Sequence, residues 1–322
     1  MPFSAENDPV FILAIRHLNS LSHLTRIKMP SHNIDFKTPI KEIPMAELMK
    51  TSHAPEHAGG FGDVWKCIWS TSSSNPPTTV AIKVVRVNPH MVTSLKMATR
   101  DIRREACVWA KLKHDHILSL HGITTGFGIL PAFVSSWMTK GSLDSYLKQQ
   151  PWLSTLQKLD MIASGLKYLH EKDIVHNDLT PNNILIDSDD KLCLADFGLS
   201  MILPQSGSFM FYSCHAGNAR WMAPEMVDVW QAKPTKPADV YSHGCIMLQL
   251  LCGQQPYFWV LNAFHVMAAI LRGRKPFREL TGIDEDQKQY WLECLSTDFN
   301  ARPKVQEIVA FLEAEIRKFD DE

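Results

Sequence analysis

The stretch from Ile174 to Gly198, IVHNDLTPNNILIDSDDKLCLADFG, constrains the fold and chemistry of this chain more than any other. Asp178 lies in a His-x-Asp sequence, Asn183 follows it by five residues, and Asp196 opens Asp-Phe-Gly. Aspartate and asparagine offer the oxygen ligands that Mg²⁺ prefers, and an aspartate can orient an attacking hydroxyl. The spacing therefore predicts a phosphoryl-transfer site, with Asn183 and Asp196 as metal ligands and Asp178 as the group that takes or orients the hydroxyl proton.

The length and composition suit an intracellular enzyme. A chain of 322 residues is long enough for two domains, or for one bilobal domain with short extensions. A net charge of -1 gives no global attraction to nucleic acid or to an anionic membrane. The seven cysteines include no C-x-x-C pair, which favours reduced thiols, and no apolar run reaches the roughly 18–20 residues of a membrane helix. We expect a soluble, cytoplasmic protein with no nucleic-acid partner and no membrane span.

Further motifs make the chain resemble the eukaryotic protein kinase superfamily. Besides the stretch above, the sequence has Ala223-Pro224-Glu225 in RWMAPE and Arg302 in DFNARP. The segments RWMAPE, GSLDSYL and RPKVQEIV resemble the tyrosine-kinase-like group of mainly serine/threonine kinases. The resemblance covers about residues 54–315. It implies an α+β bilobal fold, with a small antiparallel β-sheet lobe that carries one main helix and a larger, mostly helical lobe.

The pattern of residue types along the sequence divides the chain into three parts. Residues 1–50 are interpreted as an N-terminal extension of unknown role, in which Val10 to Leu24 has the pattern of a short amphipathic helix. Residues 51–138 are rich in strand-like runs and end in a connector that the resemblance identifies as the hinge. Residues 139–322 are mostly helical in pattern. The second and third parts are expected to form the two lobes of the kinase fold.

Lys83 and Glu105 are predicted to form an ion pair. Lys83 lies in VAIK, and Glu105 lies in a helical pattern that runs from Ala98 to Leu112. Glu105 shares the apolar face of that helix, and an unpaired carboxylate turned inward is costly. In the family this pair aims the lysine at the α- and β-phosphates of ATP. The resemblance therefore gives Lys83 and Glu105 catalytic roles.

The glycine-rich loop departs from the family pattern at its first position. His57 replaces the first glycine, while Gly59, Gly60 and Gly62 keep the close approach of backbone N–H groups to phosphate oxygens. We expect these three glycines to bind the phosphates of ATP. The substitution at His57 puts the loop geometry and the nucleotide affinity in question.

The resemblance also places the adenine site. Val64 and Ala81 are expected above the base and Leu185 below it, with backbone hydrogen bonds from the hinge around Trp137. Counting back from the hinge places Ser135 at the gatekeeper position, at the back of the adenine site.

The catalytic loop departs from the serine/threonine pattern as well. Asn177 replaces the arginine before the catalytic aspartate, Thr180 replaces a lysine, and Asn218 replaces a threonine that the family has near it. One interpretation is a joint exchange, in which a hydroxyl and an amide still hydrogen-bond near Asp178. The other is erosion of the positive charge that steadies the transferred phosphoryl group. The neutral Asn177 also predicts that activity depends little on phosphorylation of the loop that follows Asp-Phe-Gly.

The resemblance implies three structural contacts. Glu225 and Arg302 are expected to form a bidentate buried pair, and Asp239 is expected to hold the backbone of the catalytic loop. Four further side chains are expected to stack into an internal apolar spine that joins the lobes. They are Trp109, Leu120, His176 and Phe197.

Two main functions remain open at this point. The first is a protein kinase that transfers the γ-phosphoryl group of ATP, with Mg²⁺ as the metal, to serine or threonine hydroxyls of protein substrates. The alternative is a weak or inactive pseudokinase that binds nucleotide or acts as a scaffold. A small-molecule phosphotransferase would share the catalytic loop, but it would not need the Ala-Pro-Glu segment or Arg302. The sequence gives no oligomeric state.

Overall fold

The structure of this chain, a computed structural model, describes residues 40–58, 62–71, 76–86, 95–148, 155–197, 218–228, 234–278 and 284–320. Within these ranges, nine β-strands and eight α-helices are present, and they form a strand-rich part followed by a helix-rich part. Gly59 and Gly60 of the glycine-rich loop lie outside the described residues, as does the helix predicted from Val10 to Leu24.

The strand-rich part is built on one antiparallel sheet. Five strands follow the order β1-β3-β4-β6-β5, and β2 pairs with Asp63 and Val64 of β3, on the same edge of β3 as β1. On β4 the apolar residues Val80, Ile82 and Val84 alternate into a buried cluster, so that Ala81 and Lys83 share the opposite face. The strands are β1 Leu48–Lys50, β2 His57–Ala58, β3 Gly62–Trp69, β4 Thr78–Val85, β5 Leu120–Thr124 and β6 Ala132–Ser136.

One helix, α1 (Leu95–Trp109), belongs to the strand-rich part. Its buried face includes Ile102, Glu105 and Ala106, at helical spacing, as the sequence predicts. Leu112 follows the helix and is buried in the same core cluster. The amphipathic pattern therefore places Glu105 among apolar neighbours, which matters for the site described below.

Residues 41–50 lie inside the predicted N-terminal extension, and they pair with the sheet. The N–H of Ile43 donates to the carbonyl of Ile123 at 2.8 Å, and the N–H of Ile123 donates to the carbonyl of Lys41 at 2.9 Å. Strand β1 pairs with β3 over Leu48, Met49 and Lys50. No role for this stretch could be predicted from its residues, because its pattern is too short to identify a strand.

The helix-rich part begins with a small sheet of three strands and then adds seven helices. The strands are β7 Gly141–Ser142, β8 Ile184–Ile186 and β9 Leu192–Leu194. The helices are α2 Leu143–Leu147, α3 Thr155–Glu171, α4 Pro224–Asp228, α5 Lys236–Cys252, α6 Ala263–Leu271, α7 Glu285–Cys294 and α8 Val305–Asp320. This antiparallel sheet lobe with one helix, followed by a helical lobe, is the bilobal fold that the sequence predicts.

Helix α5 is the most deeply buried helix of the described residues, as its nearly continuous apolar sequence predicts. Its N-cap Thr235 accepts a hydrogen bond from the N–H of Ala238, and it ends at Gly253, whose φ of 66° lies in the left-handed region that glycine tolerates. Helices α3 and α8 pack together, and Met247 of α5 lies in their core cluster. None of the described helices is both long and apolar enough to cross a membrane.

The predicted pair of Glu225 and Arg302 is confirmed. The two guanidinium nitrogens of Arg302 donate to the two carboxylate oxygens of Glu225 at 2.6 and 2.7 Å. The same guanidinium donates to the carbonyls of Ser296 and Pro237, both at 2.9 Å, and lies over the ring of Tyr241. The pair therefore ties α4 to the start of α5 and to the loop before α8.

We predict that Arg302→Met lowers the free energy of unfolding by about 3 kcal/mol or more, because it leaves a carboxylate and two carbonyls without their donor. The side chain of Arg302 is 0% exposed, so water cannot replace it without rearrangement. The measurement is urea denaturation followed by circular dichroism. The control is Lys288→Met, which removes a partly exposed ion pair with Glu285 and should cost less than about 1 kcal/mol. Equal losses in both variants would contradict the prediction.

Candidate active site

The backbone of the catalytic loop is held by Asp239, at the first turn of α5. Its carboxylate accepts the backbone N–H groups of His176 and Asn177, each at 2.8 Å, which confirms the predicted contact. The ring Nε2 of His170, at the end of α3, lies 2.8 Å from the same carboxylate. Asn177 has a φ of 63°, a left-handed conformation that asparagine tolerates better than most residues. The sequence analysis missed His170, because nothing in its local pattern distinguishes it from any other helix-terminal histidine.

Two side-chain amides converge on the carboxylate of Asp178. The Nδ2 of Asn183 donates to the Oδ2 and to the backbone carbonyl of Asp178, both at 2.8 Å. The Nδ2 of Asn218, which lies shortly before the Ala-Pro-Glu segment in the chain, donates to Oδ1 of Asp178 at 2.7 Å. Asp178 is therefore oriented by neutral donors on both oxygens, which leaves its negative charge uncompensated by these two contacts.

The expected joint exchange of Thr180 and Asn218 is half correct. Asn218 makes the predicted amide contact to Asp178. Thr180 is buried, but its hydroxyl has no hydrogen-bond partner among the described residues. An unpaired buried hydroxyl costs about 1–3 kcal/mol, so Thr180 does not replace the lysine of the family by pairing near Asp178.

The predicted ion pair between Lys83 and Glu105 is not present. The Nζ of Lys83 lies 2.5 Å from the Oδ1 of Asp196, and both oxygens of Glu105 have no hydrogen-bond partner among the described residues. Burial among apolar side chains raises the pKa of Glu105 to about 8; the charge of Lys83 lowers it, and that of Asp196 raises it further. The physical reason for the correction is competition. Asp196 is partly exposed, whereas ionised Glu105 would pay a full desolvation cost.

The predicted apolar spine is confirmed. The ring of Phe197 packs edge-on against Trp109 at 5.7 Å and against His176 at 6.2 Å between centroids. Leu120 is buried in the same core cluster. Burial lowers the pKa of His176, which keeps the ring neutral in this apolar position. The stack connects α1 to the catalytic loop, and it places Asp196, beside Phe197, across from Lys83.

The predicted walls of the nucleotide cleft share one face of the sheet. Val64 pairs across the ladder with Lys83, and Ala81 pairs with Ser135, so these side chains lie on the face opposite the buried cluster of β4. Leu185 is the half-buried middle residue of β8, which pairs with β7 directly after the hinge. The structure therefore brings Val64, Ala81 and Ser135 to the face of the sheet that also carries Lys83, with Ser135 on the strand that enters the hinge.

At the entrance of the cleft, an aromatic contact occupies the position of the missing first glycine. The ring of His57 is stacked against that of Trp137 in the hinge, with centroids 6.4 Å apart and planes 14° apart. The Nζ of Lys66 lies 5.1 Å from the Trp137 ring. Gly62 closes the other end of the loop, and a Cβ there would overlap the carbonyl oxygen of Val84. Glycine is required at Gly62, while the first position accepts a ring that contacts the hinge.

The donor set at the base of the cleft fits a hard cation. Because the amide nitrogen of Asn183 is engaged by Asp178, its oxygen Oδ1 is left as an acceptor with no donor among the described residues. Asp196 is about a quarter exposed and has the cationic Lys83 beside it. Mg²⁺ is commonly held by one or two protein oxygen ligands together with phosphate oxygens and water. Asn183, Asp196 and Lys83 thus offer the ligands and the charge that a magnesium–nucleotide complex requires.

The bilobal fold and this arrangement of Lys83, Asp178, Asn183 and Asp196 define a protein kinase domain. Residues 57–312 match the family described as protein tyrosine and serine/threonine kinase, and the chain belongs to that family.

Curated relatives include kinases of both specificities. The chain is 34% identical over 247 residues to ephrin type-A receptor 5 of Gallus gallus, which covers 74% of this chain and 23% of the receptor. It is 30% identical over 281 residues to serine/threonine-protein kinase VIK of Arabidopsis thaliana, covering 84% of this chain and 61% of that protein. It is 27% identical over 278 residues to serine/threonine-protein kinase STY17 of Arabidopsis thaliana, covering 82% and 44%. The matched region is therefore less than two thirds of the length of each of these relatives.

We predict that Glu105 makes the stability of the chain fall as the pH rises from about 4.5 to about 8. In this window the folded chain keeps a proton on Glu105 that the unfolded chain has lost, because the folded pKa is raised from 4.5 to about 8. Glu105→Gln removes this part of the pH dependence. Its stability relative to the parent should therefore increase with pH, by up to about 1.4 kcal/mol per pH unit.

The measurement is the free energy of unfolding in urea at pH 5.5, 7.0 and 8.5 for the parent and for Glu105→Gln. Glu293→Gln, at an exposed position on α7, is the control and should follow the parent at every pH. A constant difference between Glu105→Gln and the parent across this range would mean that Glu105 is ionised and paired in solution.

Proposed function

We propose that this chain is an active protein kinase that transfers the γ-phosphoryl group of ATP to serine or threonine hydroxyls of protein substrates. The observation that carries the proposal is the orientation of Asp178 by Asn183 and Asn218, on a loop whose backbone is fixed by Asp239. A structural or scaffold role does not require a carboxylate held in this way. The proposed lobes are residues 51–138 and residues 139–322.

The proposed roles follow from the contacts. Asp178 orients the substrate hydroxyl and accepts its proton, because both of its oxygens are aligned by amides. Asn183 and Asp196 would hold Mg²⁺, which supplies the neutralisation of charge that phosphoryl transfer needs. Lys83 contacts the α- and β-phosphates. The cleft face formed by Val64, Ala81 and Ser135 on the sheet, with Leu185 on β8, receives the adenine, and the glycines Gly59, Gly60 and Gly62 cover the phosphates.

Catalysis requires one rearrangement of the ion pairs. Lys83 lies against Asp196 at 2.5 Å, and the same carboxylate is the proposed metal ligand. A cation held by Asp196 would neutralise part of the charge of this carboxylate, and Lys83 would then be free to contact the phosphates and Glu105. Both carboxylate oxygens of Glu105 are buried and have no hydrogen-bond partner among the described residues, so Glu105 is placed to receive the lysine in that state. This gives Glu105 a positioning role, as the sequence predicts, in the nucleotide-bound form.

Specificity for serine and threonine is supported by the names of two relatives, the serine/threonine-protein kinases VIK and STY17. The ephrin receptor in the same set keeps tyrosine as an outcome to be measured. We propose a cytoplasmic location, where ATP and Mg²⁺ are available. The six free cysteines among the described residues suit the reducing conditions of that compartment.

A pseudokinase is the second candidate, and specific observations favour it. Thr180 brings no charge to the site, and neither its hydroxyl nor the carboxylate of Glu105 has a hydrogen-bond partner within the part of the chain that the structure describes. His57 contacts the hinge at the place where the family has a glycine. A chain that binds ATP with Mg²⁺ and transfers no phosphoryl group would establish this alternative.

We predict that Asp178→Asn and Asp196→Asn each reduce phosphoryl transfer by about 1,000-fold or more, because the two aspartates act in one unit with Lys83. The assay combines the purified chain, Mg²⁺, radiolabelled ATP and a peptide library with a single serine, threonine or tyrosine. The control is Asp189→Asn, on the exposed turn after β8, which should keep the parental rate. Melting temperatures of all variants should stay close to that of the parent. Equal turnover by the parent and Asp196→Asn would refute the proposal.

We predict that activity depends little on phosphorylation of the loop from Leu199 to Ala216, which lies outside the described residues. The reason is Asn177, which stands where related kinases have the arginine that grips the loop phosphate. Active enzyme is treated with a phosphatase, and its rate is compared with that of untreated enzyme. The rates should agree within about threefold. A loss of tenfold or more, about 1.4 kcal/mol of activation free energy, would mean that another cation binds the loop phosphate.

A further inference from the structure

One surface of the helical lobe combines exposed cations with exposed apolar side chains. It is formed by residues 253–278, which include the loop from α5 to α6, α6 itself and the turn that follows; we call it the basic face. These 26 residues contain no aspartate or glutamate. Their cations are Arg272, Arg274, Lys275 and Arg278, and none of them forms a salt bridge with a described residue. The basic face therefore has a local charge of +4, on a chain whose net charge is -1.

Large apolar side chains are also exposed within the basic face, in the residues that precede these cations in the chain. Phe258 is 47% exposed, Leu261 96%, Phe264 60% and Leu271 49%. Single exposed apolar residues are ordinary on a protein surface, but four of them within 14 residues form a patch of the kind that marks an interaction site. The combination with uncompensated positive charge indicates a partner that is both apolar and acidic.

A cavity of about 340 Å³ opens beside Phe258. It is lined by Pro256, Phe258, Pro276 and Phe277, and also by Gln255 and Arg278. Its volume lies at the lower end of the roughly 300–1,000 Å³ that is usual for small ligand sites, which is enough for one large apolar side chain. The lining thus provides an apolar floor, an amide that can hydrogen-bond a peptide backbone, and a cation.

Hydrogen bonds hold the walls of this cavity together. The N–H of Tyr257 donates to the carbonyl of Pro276 at 2.9 Å, and its hydroxyl donates to the carbonyl of Arg274 at 3.0 Å. The guanidinium of Arg220 donates to the carbonyls of Pro256, Tyr257 and Val260 at 3.1, 2.6 and 2.6 Å. The two loops are therefore fixed before any partner arrives, which lowers the entropic cost of binding.

We propose that the basic face binds a linear, acidic segment of a partner protein, with a phenylalanine or leucine of that segment seated in the cavity. The acidic residues of the segment would contact Arg272, Arg274, Lys275 and Arg278. A preformed concave site favours a peptide over a bilayer, because a membrane is contacted by protruding side chains and does not fill a cavity. Exposed phenylalanines and leucines likewise distinguish this face from a phosphate-backbone site.

This site is formed by elements that do not contribute to the nucleotide cleft. Its residues come from the end of α5 and from positions 254–278, while the cleft is built from β3, β4, β6, β8 and the catalytic loop. Binding at the basic face is therefore expected whether or not the chain transfers a phosphoryl group. Asp196→Asn should bind the partner segment as the parent does, so that a failure of the proposed kinase activity and a failure of this proposal are distinguishable.

The test uses fluorescein-labelled peptides of twelve residues and the full chain, followed by fluorescence anisotropy. Each peptide has glutamate and aspartate flanks and a central phenylalanine, leucine or serine, and one peptide has lysine flanks and a central phenylalanine. The chain variants are Arg274→Glu with Arg278→Glu, and Lys275→Glu alone. The control is Lys304→Glu, an exposed charge reversal before α8 that lies outside the basic face.

The acidic phenylalanine or leucine peptide should bind the parent, and its affinity should fall at least tenfold with the double reversal and at least threefold with Lys275→Glu. Replacement of the central residue by serine should cost fivefold or more, and 300 mM NaCl should weaken binding relative to 50 mM. Lys304→Glu and Asp196→Asn should stay within twofold of the parent. If the double reversal fails to fold, Lys275→Glu and the peptide exchanges decide the outcome.

Several results would overturn the proposal. One is the absence of binding of the acidic phenylalanine and leucine peptides to the parent at 1 mM, and another is equal affinity for the acidic and basic peptides. A third uses vesicles of phosphatidylserine and phosphatidylcholine in a sedimentation assay. If the parent binds these vesicles, loses that binding on charge reversal and ignores the peptides, then the basic face contacts membranes rather than a protein segment.

Discussion

The carboxylate of Asp239 is the interaction on which the active site of this chain depends. It is almost fully buried, and such a charge is tolerated only when several donors surround it. Two of its donors are consecutive backbone N–H groups of the catalytic loop, and the third group in contact is the ring of His170. Since α5 passes through the core of the helical lobe, the catalytic loop is fixed to the most deeply buried helix of the described residues. Loss of this carboxylate would release the loop from α5.

The position of Asp178 follows from that anchoring. Because the backbone at His176 and Asn177 is fixed, Asp178 emerges at a defined place, and Asn183 and Asn218 need only orient its carboxylate. The neighbouring His176 packs inward against Phe197, which in turn packs against Trp109 of α1. His176 therefore joins the catalytic loop to α1 through apolar contacts, and Asp178, two residues further along the loop, carries the oriented carboxylate. This division explains why a histidine that could act as a base is instead a buried, neutral packing residue.

Two carboxylates, those of Asp196 and Glu105, compete for Lys83, and the outcome of this competition determines which ion pair the site contains. Asp196 and Glu105 are both within its electrostatic influence, and the partly solvated Asp196 takes the contact. Glu105 is buried and has no hydrogen-bond partner among the described residues, which is a costly arrangement. In the proposed mechanism, Lys83 would become its partner if Asp196 bound a cation instead of Lys83. A proposed metal ligand, a proposed phosphate ligand and a positioning carboxylate are thus coupled through one lysine. In the proposed mechanism, the contacts of Lys83 have two alternative arrangements, and regulation does not depend on a charge on the loop that follows Asp-Phe-Gly.

The sequence alone determined the family-level features of the chain, because they depend on local spacing. The separation of Asp178, Asn183 and Asp196 and the helical face of α1 are properties of short segments, and the structure agrees with them. The contact of Glu225 with Arg302 could be predicted because both residues lie in motifs, RWMAPE and DFNARP, that resemble those of the protein kinase superfamily. The resemblance also predicted which residues line the nucleotide cleft, and three of them, Val64, Ala81 and Ser135, lie on neighbouring strands of one sheet.

Only the tertiary structure decided which ion pairs and hydrogen bonds form when several groups compete for the same partner. The choice of Lys83 between Asp196 and Glu105 depends on their relative burial, and the sequence predicted the wrong one. The unpaired hydroxyl of Thr180, the contact of His170 with Asp239 and the three carbonyls held by Arg220 are similar cases. They join residues that are far apart in sequence, and their geometry is fixed by packing rather than by any local periodicity. Desolvation and distance are properties of the folded chain, so these contacts could not be obtained from the order of the residues.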